Sequence, residues 1–187
     1  MTIRIPLSRA RASAVVVGAA IALAAALPAA PANALNGGFV IPKASTVVNA
    51  HSGKCLEIAD WRTDNGAPAR QWDCTGGANQ MWDFRPLEGG VALVNRASGK
   101  CLEIADWSHD DGAPARQWDC HGGWNQHWNY SGGIGSRNDL GLVNLNSAAL
   151  LEIADWSTDN GAPARQWHSQ NNPIDGNKTW ITAIKRT

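Results

Sequence analysis

The stretch "CLEIADWRTDNGAPARQWDC" at residues 55–74 decides how this chain is organised, because the chain contains three similar copies of it. It returns as "CLEIADWSHDDGAPARQWDC" at residues 101–120 and as "LLEIADWSTDNGAPARQWHS" at residues 150–169. Successive copies begin 46 and then 49 residues apart, a period typical of folds built from repeated supersecondary units. The alignment divides the chain into three repeats: 45–90, 91–140 and 141–187.

Four cysteines allow three disulfide pairings, and the third copy narrows the choice. In that copy Leu150 and Ser169 stand where the other two copies have cysteine. Joint loss is expected for a bond within one copy, because a lone surviving cysteine would be a free reactive thiol. We therefore predict the bonds Cys55–Cys74 and Cys101–Cys120. Each closes a loop of about twenty residues, worth about 3 kcal/mol in the chain-entropy description.

Residues 1–34 have the features of a secretory signal peptide. Three arginines precede an uncharged apolar run at 14–27, and Ala32-Asn33-Ala34 offers a small-x-small cleavage site. The run is too short for a membrane span, and nothing basic follows it to retain it as an anchor. Cleavage would leave a ten-residue lead, 35–44, before the repeats. We expect an extracellular protein, a compartment in which disulfides persist.

The charge balance excludes several classes of partner. The chain carries 16 basic and 16 acidic residues, and the predicted signal peptide removes three of the basic ones, which leaves a net charge of −3. Without a cluster of Lys and Arg there is no electrostatic case for nucleic acid, and no polybasic segment favours a membrane surface. No His and Cys spacing resembles a zinc site. We expect neither nucleic acid nor membrane insertion, and no metal or other cofactor.

Each repeat is predicted to contain four short strands. In the first copy they fall at 46–49, 54–59, 69–73 and 80–84, separated by the turn sequences "HSGK", "DNGAP" and "TGG". Beyond the signal peptide no stretch sustains a helical period. Propellers commonly have four to eight blades, so three such units favour an all-β, closed barrel-like arrangement with threefold pseudosymmetry.

The repeat "SGKCLEI…NGAPARQWDC…GGANQMW" resembles the ricin B-type lectin repeat. That family is marked by a Cys-Leu-acidic strand, a Trp-x-Cys strand and a Gln-x-Trp ending, and the likeness covers 45–187 three times. The resemblance implies a β-trefoil, in which three hairpins cap a six-stranded barrel. It also implies one possible sugar pocket per repeat.

Strand alternation predicts which side chains share a face. Along "CLEIA" the two aliphatic side chains point to the core and Glu57 lies on the outer face. If the bonded cysteines face each other, Glu57 lies opposite Trp72, and Ala59 lies opposite Arg70. The same alternation places Gln71 on the core face, where an apolar residue is expected.

A carboxylate, a guanidinium and an indole on one face suit a carbohydrate. Sugar rings lay their C–H patches on an indole, and their hydroxyls bond carboxylates and amides. Glu and Arg stand where the family usually has Asp and Gln, and the Arg leads to the hypothesis of a preference for acidic sugars. The third copy has Lys178 where the others have Gln. The predicted carbohydrate-binding residues are Glu57, Arg70, Trp72, Asn79 and Gln80; Glu103, Arg116, Trp118, Asn125 and Gln126; and Glu152, Arg165, Trp167 and Asn177.

The remaining tryptophans divide into two groups. Those that end the Gln-x-Trp-like units are expected in the core by the family pattern: Trp82, Trp128 and Trp180. Those in the repeated "ADW" suit either a subsite wall or hairpin packing: Trp61, Trp107 and Trp156. Trp124 occurs in copy two alone.

These observations predict a secreted lectin that binds glycans or polysaccharide without catalysis. Glycosidases need two carboxylates in different environments, and a set copied three times offers no such asymmetry. A protein-binding β-trefoil, such as a secreted protease inhibitor, is the alternative function, and a module that accompanies a hydrolase is a third. For Glu57 and Arg70 a purely structural ion pair is the competing interpretation.

Overall fold

Four short strands form in each repeat, as predicted. The structure, a computed structural model, describes residues 39–40, 44–132, 139–169, 175–182 and 185–186, so the predicted signal peptide lies outside the described residues. The strands in chain order are β1 (Phe39–Val40); β2 (Val48–Asn49), β3 (Cys55–Ile58), β4 (Ala69–Trp72) and β5 (Trp82–Leu87) of repeat one; β6 (Gly90–Asn95), β7 (Cys101–Ile104), β8 (Ala115–Trp118) and β9 (Trp128–Gly132) of repeat two; β10 (Asp139–Asn144), β11 (Leu150–Ile153), β12 (Ala164–Trp167) and β13 (Thr179–Ile181) of repeat three; and β14 (Lys185–Arg186).

Six of these strands close into a barrel. Strand β2 pairs with β13, β13 with β10, β10 with β9, β9 with β6, and β6 with β5, all antiparallel. A bridge between Ser45, which precedes β2, and Trp82 of β5 closes the ring. The hairpins β3–β4, β7–β8 and β11–β12 form the cap. This arrangement confirms the β-trefoil expected from the resemblance.

The core is filled by aliphatic side chains and by one tryptophan from each repeat. Trp82, Trp128 and Trp180 are fully buried, and each indole N–H donates to a backbone carbonyl at 3.0–3.1 Å. Burial of a large apolar side chain contributes roughly 2–3 kcal/mol, provided that its polar atom has a partner. These tryptophans are therefore core residues, as predicted.

Two strand ends differ from the prediction. The second strand was expected to include Ala59 and the fourth to begin at Gln80, but both residues lie in 3₁₀ turns, Ala59–Trp61 and Ala78–Gln80. The first turn forms because Asp60 adopts a left-handed backbone conformation, which a strand cannot continue. The second forms because Gln80 turns its side chain inward, where it bonds Glu57 and the carbonyl of Asp73. Among the described residues, no helix is long and apolar enough to cross a membrane.

The buried Gln71 joins its repeat to another. Its side-chain amide donates to the carbonyls of Ser157 and Asp159 in repeat three, at 2.8 and 3.0 Å, and its oxygen accepts from Ser52 at 2.6 Å. A buried amide with three partners costs little, which explains a polar residue at a core position. The pattern repeats around the pseudo-threefold axis, from Gln117 to Arg62 and Asp64, and from Gln166 to Ser108 and Asp110.

Candidate functional site

The two strands of each hairpin pair in a register that differs from the predicted one. Glu57 lies opposite Arg70, and Cys55 lies opposite Trp72. The predicted pairings of Glu57 with Trp72 and of Ala59 with Arg70 were therefore wrong by two residues. The disulfides themselves are confirmed, but Cys74 lies beyond the end of β4, so the Cys55–Cys74 bond runs diagonally over a Cα–Cα distance of 5.1 Å. The second bond, Cys101–Cys120, has the same Cα–Cα distance.

The glutamate of each repeat is buried, although it was predicted on the outer face. Oε1 of Glu57 accepts from Nε of Arg70 at 2.9 Å, and Oε2 accepts from the amides of Asn79 and Gln80 at 3.2 and 3.0 Å. A buried carboxylate is tolerated when charge-assisted hydrogen bonds satisfy it. Glu57 thus anchors three elements of its repeat, namely the two strands of the hairpin and the following 3₁₀ turn.

The same cluster forms in the other two repeats. Glu103 accepts from Arg116, Asn125 and Gln126 at 2.9, 3.3 and 3.0 Å. Glu152 accepts from Arg165 and Asn177 at 2.9 and 3.2 Å, and the ammonium of Lys178 lies 3.4 Å from its Oε2. The third copy therefore keeps the arrangement, with a buried ion pair where the other copies have an amide.

The arginine of each site is held on three sides. Nη2 of Arg70 donates to Asp60 at 2.9 Å while Nε donates to Glu57, and the guanidinium carbon lies 4.5 Å from the ring centroid of Trp72. The matching cation–π distances in copies two and three are 4.6 and 4.7 Å. A desolvated contact of this kind contributes about 1–2 kcal/mol. The indole that was predicted as an open floor thus carries a guanidinium.

Asp60 and Trp61 stand at the rim of the site in a strained conformation. Their φ angles are 55° and 56°, and the pairs Asp106–Trp107 and Asp155–Trp156 have the same left-handed backbone. For residues with a Cβ this region costs roughly 1–2 kcal/mol each, somewhat less for Asp. Trp61 is nevertheless 58% exposed.

These rim residues surround a cavity of about 260 Å³ in copy one. Trp61, whose role the sequence left open, is part of the cavity wall. It also packs against Gly77, where an added Cβ would come within 2.7 Å of Cζ2 of the Trp61 ring. The three aspartates were not among the predicted binding residues, although the repeated "ADW" carried the signal. The cavity is lined by Glu57, Asp60, Trp61, Arg70, Trp72, Thr75 and Asn79.

One acceptor at this cavity has no partner. The side-chain oxygen of Asn79 is buried and makes no hydrogen bond, and the same holds for Asn125 and Asn177. A buried acceptor without a partner costs about 1–3 kcal/mol, which a hydroxyl donated by a ligand would recover. Among the described residues, no group of three or more His, Cys, Asp or Glu side chains is arranged to hold a metal ion.

The copies differ in what surrounds this shared centre. In copy two, His121 stacks on Trp107 with ring centroids 5.8 Å apart, and its Nε2 lies 3.4 Å from Glu103. Trp124, unique to that copy, is more than half exposed. In copy three the rings of His51 and Trp156 form a T-shaped pair with centroids 5.0 Å apart. The three repeats therefore share the buried cluster and differ in the residues around it.

Comparison with known proteins agrees with this fold. The family described as ricin-type β-trefoil lectin domain-like matches residues 36–118 and 88–167. The designed threefold-symmetric protein ThreeFoil is 32% identical with a TM-score of 0.70, over 75% of this chain and 98% of ThreeFoil. The ricin B-like lectin of Macrolepiota procera, solved with lactose, shares the fold at 17% identity and a TM-score of 0.65, over 79% of this chain and 98% of the lectin.

A shorter match falls within a much larger enzyme. Serine protease 1 of Rarobacter faecitabidus is 44% identical over 39 residues, which are 21% of this chain and 7% of the protease. The family match, by contrast, spans most of the chain. The chain belongs to the ricin-type β-trefoil lectin domain-like family.

Proposed function

We propose that this protein is an exported, non-catalytic lectin with up to three carbohydrate sites, one per repeat. The observation that carries the proposal is the cavity of copy one, where an exposed indole, an exposed carboxylate and a buried amide oxygen without a partner converge. An indole face suits the C–H patches of a sugar ring, and the oxygens suit its hydroxyls. The solved Macrolepiota procera relative holds lactose, which supports the same ligand class here.

The chemistry of the cluster supports binding rather than hydrolysis. A glycosidase needs one carboxyl group as a general acid and a second as nucleophile or base, both directed at the scissile bond. Both oxygens of Glu57 accept hydrogen bonds from neighbouring side chains, so this carboxylate serves as an anchor. Asp60 lies at the exposed rim with Arg70 as its partner.

Export is part of the proposal. Its support is the signal-peptide pattern of residues 1–34 together with the two disulfides, since structural disulfides persist in oxidising compartments. Three weak sites on one chain would gain affinity for a polysaccharide that offers repeated epitopes.

A glycan array probed with residues 35–187 tests the function. We expect the wild type to bind at least one polysaccharide. The triple variant Trp72→Ala, Trp118→Ala and Trp167→Ala should lose that binding, because the three arginines of the sites lose the indoles that hold them in position. The control variant Trp124→Ala alters copy two alone and should leave the other sites active. If the protein bound no glycan and inhibited a protease instead, the protein-binding alternative would replace this proposal.

A further inference from the structure

We infer that the Asp–Trp pair at the rim of each repeat is the sugar-contacting element, and that its aspartate directs the sites toward sugars without an acid group. The inference rests on the proposed function and names the ligand class of the same sites. The pairs are Asp60–Trp61, Asp106–Trp107 and Asp155–Trp156.

The backbone of this pair is the first argument. Two consecutive residues with a Cβ adopt positive φ in all three copies, between 55° and 56°. Strain of this kind clusters at functional sites, where the surrounding structure holds it in place. The residues involved do not contribute to the core, since their three indoles remain about half exposed.

The availability of the indoles is the second argument. Trp72 carries the guanidinium of Arg70, 4.5 Å from its ring centroid. Trp61, by contrast, is 58% exposed and lines the same cavity. A sugar ring that needs an open aromatic surface therefore finds it on Trp61. Asn79 lines the same cavity, and its buried side-chain oxygen has no hydrogen-bond partner.

The charges of the site are the third argument. Arg70 is the one cation that lines the cavity of copy one, and both Glu57 and Asp60 already bond it at 2.9 Å. In copy one, two carboxylates against one guanidinium leave the site with a net charge of −1, whereas Lys178 adds a second cation to the cluster of copy three. The Asp60 side chain is 71% exposed, whereas that of Arg70 is 20% exposed. A carboxylated sugar would thus meet the aspartate first and be repelled.

This arrangement opposes the hypothesis, drawn from the sequence, that arginine attracts acidic sugars. That hypothesis assumed a guanidinium free to bond the ligand. In the structure the guanidinium positions Asp60, whose second carboxylate oxygen remains for the ligand's hydroxyls. Copies two and three keep the bond between Arg and Asp, at 3.0 and 3.1 Å.

Paired polysaccharides test the inference at pH 7.5. Affinity electrophoresis would compare galactan with polygalacturonate, and mannan with polymannuronate. We expect the wild type to bind a neutral member about tenfold or more tightly than its acidic counterpart, in line with one uncompensated charge near the ligand. The triple variant Asp60→Asn, Asp106→Asn and Asp155→Asn should reduce this ratio to below about threefold, because asparagine tolerates the left-handed backbone and removes only the charge.

Two further variants complete the design. Trp61→Ala, Trp107→Ala and Trp156→Ala together should weaken binding of the neutral polysaccharide at least about tenfold, since stacking contributes on this scale. Asp64→Asn is the matched control, because Asp64 is an exposed aspartate of the same loop that pairs with Arg62 outside the cavity. Circular dichroism would verify that each variant is folded.

The outcomes separate the inference from the function on which it rests. Failure to bind any of the four polysaccharides or any glycan on the array would overturn the proposed function. Two results would overturn this inference and leave the lectin function standing. One is a preference of the wild type for the acidic polysaccharides. The other is full affinity for the neutral polysaccharide in the variant Trp61→Ala, Trp107→Ala and Trp156→Ala.

Discussion

At the scale of single residues, the buried glutamates hold each repeat together. Glu57 is 4% exposed and bonds Arg70, Asn79 and Gln80, which belong to different elements of the repeat. Its length matters, because one carboxylate reaches all three donors. Asp60, only three residues later, carries the same charge at the surface and bonds Arg70 alone. Burial therefore separates a structural acid from an acid available to a ligand.

The two acids should differ in their effect on stability. We expect Glu57→Gln to lower the free energy of unfolding by about 3 kcal/mol, because it leaves a partly buried guanidinium with one carboxylate and turns an amide NH₂ toward two donors. Asp60→Asn should change it by less than about 1 kcal/mol, since the pair is exposed on the aspartate side. Urea unfolding of both variants measures the difference. Equal, small losses would contradict the anchoring role.

At the scale of the element, the hairpin keeps its register with or without a disulfide. Leu150 lies opposite Trp167 in the third copy, as Cys55 lies opposite Trp72 in the first. In the third copy the buried side chain of Leu150 and the contact of His168 with Asp111 stand in place of the disulfide. The changed positions are Lys54, Cys55, Asp73 and Cys74 in copy one and Ala149, Leu150, His168 and Ser169 in copy three.

The chain itself supplies a control for removal of the disulfide. We expect Cys55→Ala with Cys74→Ala to lower the free energy of unfolding by about 3 kcal/mol or more, since it loses the loop constraint and leaves a gap at a fully buried position. Cys55→Leu with Cys74→Ser copies the third repeat and should lose less, because the leucine fills the gap. Chemical denaturation compares the two. A larger loss of unfolding free energy in the Leu/Ser variant than in the Ala/Ala variant would show that the residues of the third copy do not stabilise the first.

At the scale of the whole molecule, side-chain contacts between repeats connect the hairpins in a ring. Asn65 of repeat one bonds the Asp119 side chain of repeat two at 2.8 Å, and Asn160 of repeat three bonds Asp73 at 2.7 Å. The third contact differs, because Asp111 bonds the ring and the backbone amide of His168, at 2.7 and 2.6 Å. Together with the buried glutamines, these contacts couple repeats that could not bury their apolar faces alone.

The histidine makes one of these contacts sensitive to pH. The hydrogen bond with Asp111 raises the pKa of His168 above its ordinary value of 6.5. Burial by itself would raise the pKa of Asp111, but the hydrogen bonds from His168 outweigh it and lower that pKa below 3.8. The histidine contribution is complete below pH 6.5 and is lost as the pH rises through the raised pKa. The aspartate contribution is present above pH 3.8 and is lost as the pH falls through the lowered pKa.

Thermal unfolding between pH 5 and pH 8.5 measures this contribution. We expect His168→Asn to remove the part of the stability decline above pH 6.5 that this contact causes, because asparagine can still donate to Asp111 and does not titrate. His109→Asn is the matched control, since His109 is exposed and contacts Asn146 instead. An unchanged pH profile in His168→Asn would refute the assignment.

Much of this protein was predictable from local pattern. The three copies, their four strands each and the two disulfides follow from spacing and from comparison of the copies, because these depend on neighbours in the chain. The core tryptophans were expected from the family pattern. Asn79 and Trp72 were also expected beside Glu57, and both line its cavity. The repeat count favoured a closed barrel-like arrangement, and the family resemblance added the β-trefoil.

Only the tertiary structure decided how the site works. The register of β3 and β4 depends on which residues pair, and a two-residue offset preserves every face, so alternation could not detect the error. Burial of Glu57, the stacking of Arg70 on Trp72 and the exposure of Asp60 depend on side-chain reach across strands. Two of the three partners of Gln71 lie 86 and 88 residues away, a separation at which only the folded chain determines proximity.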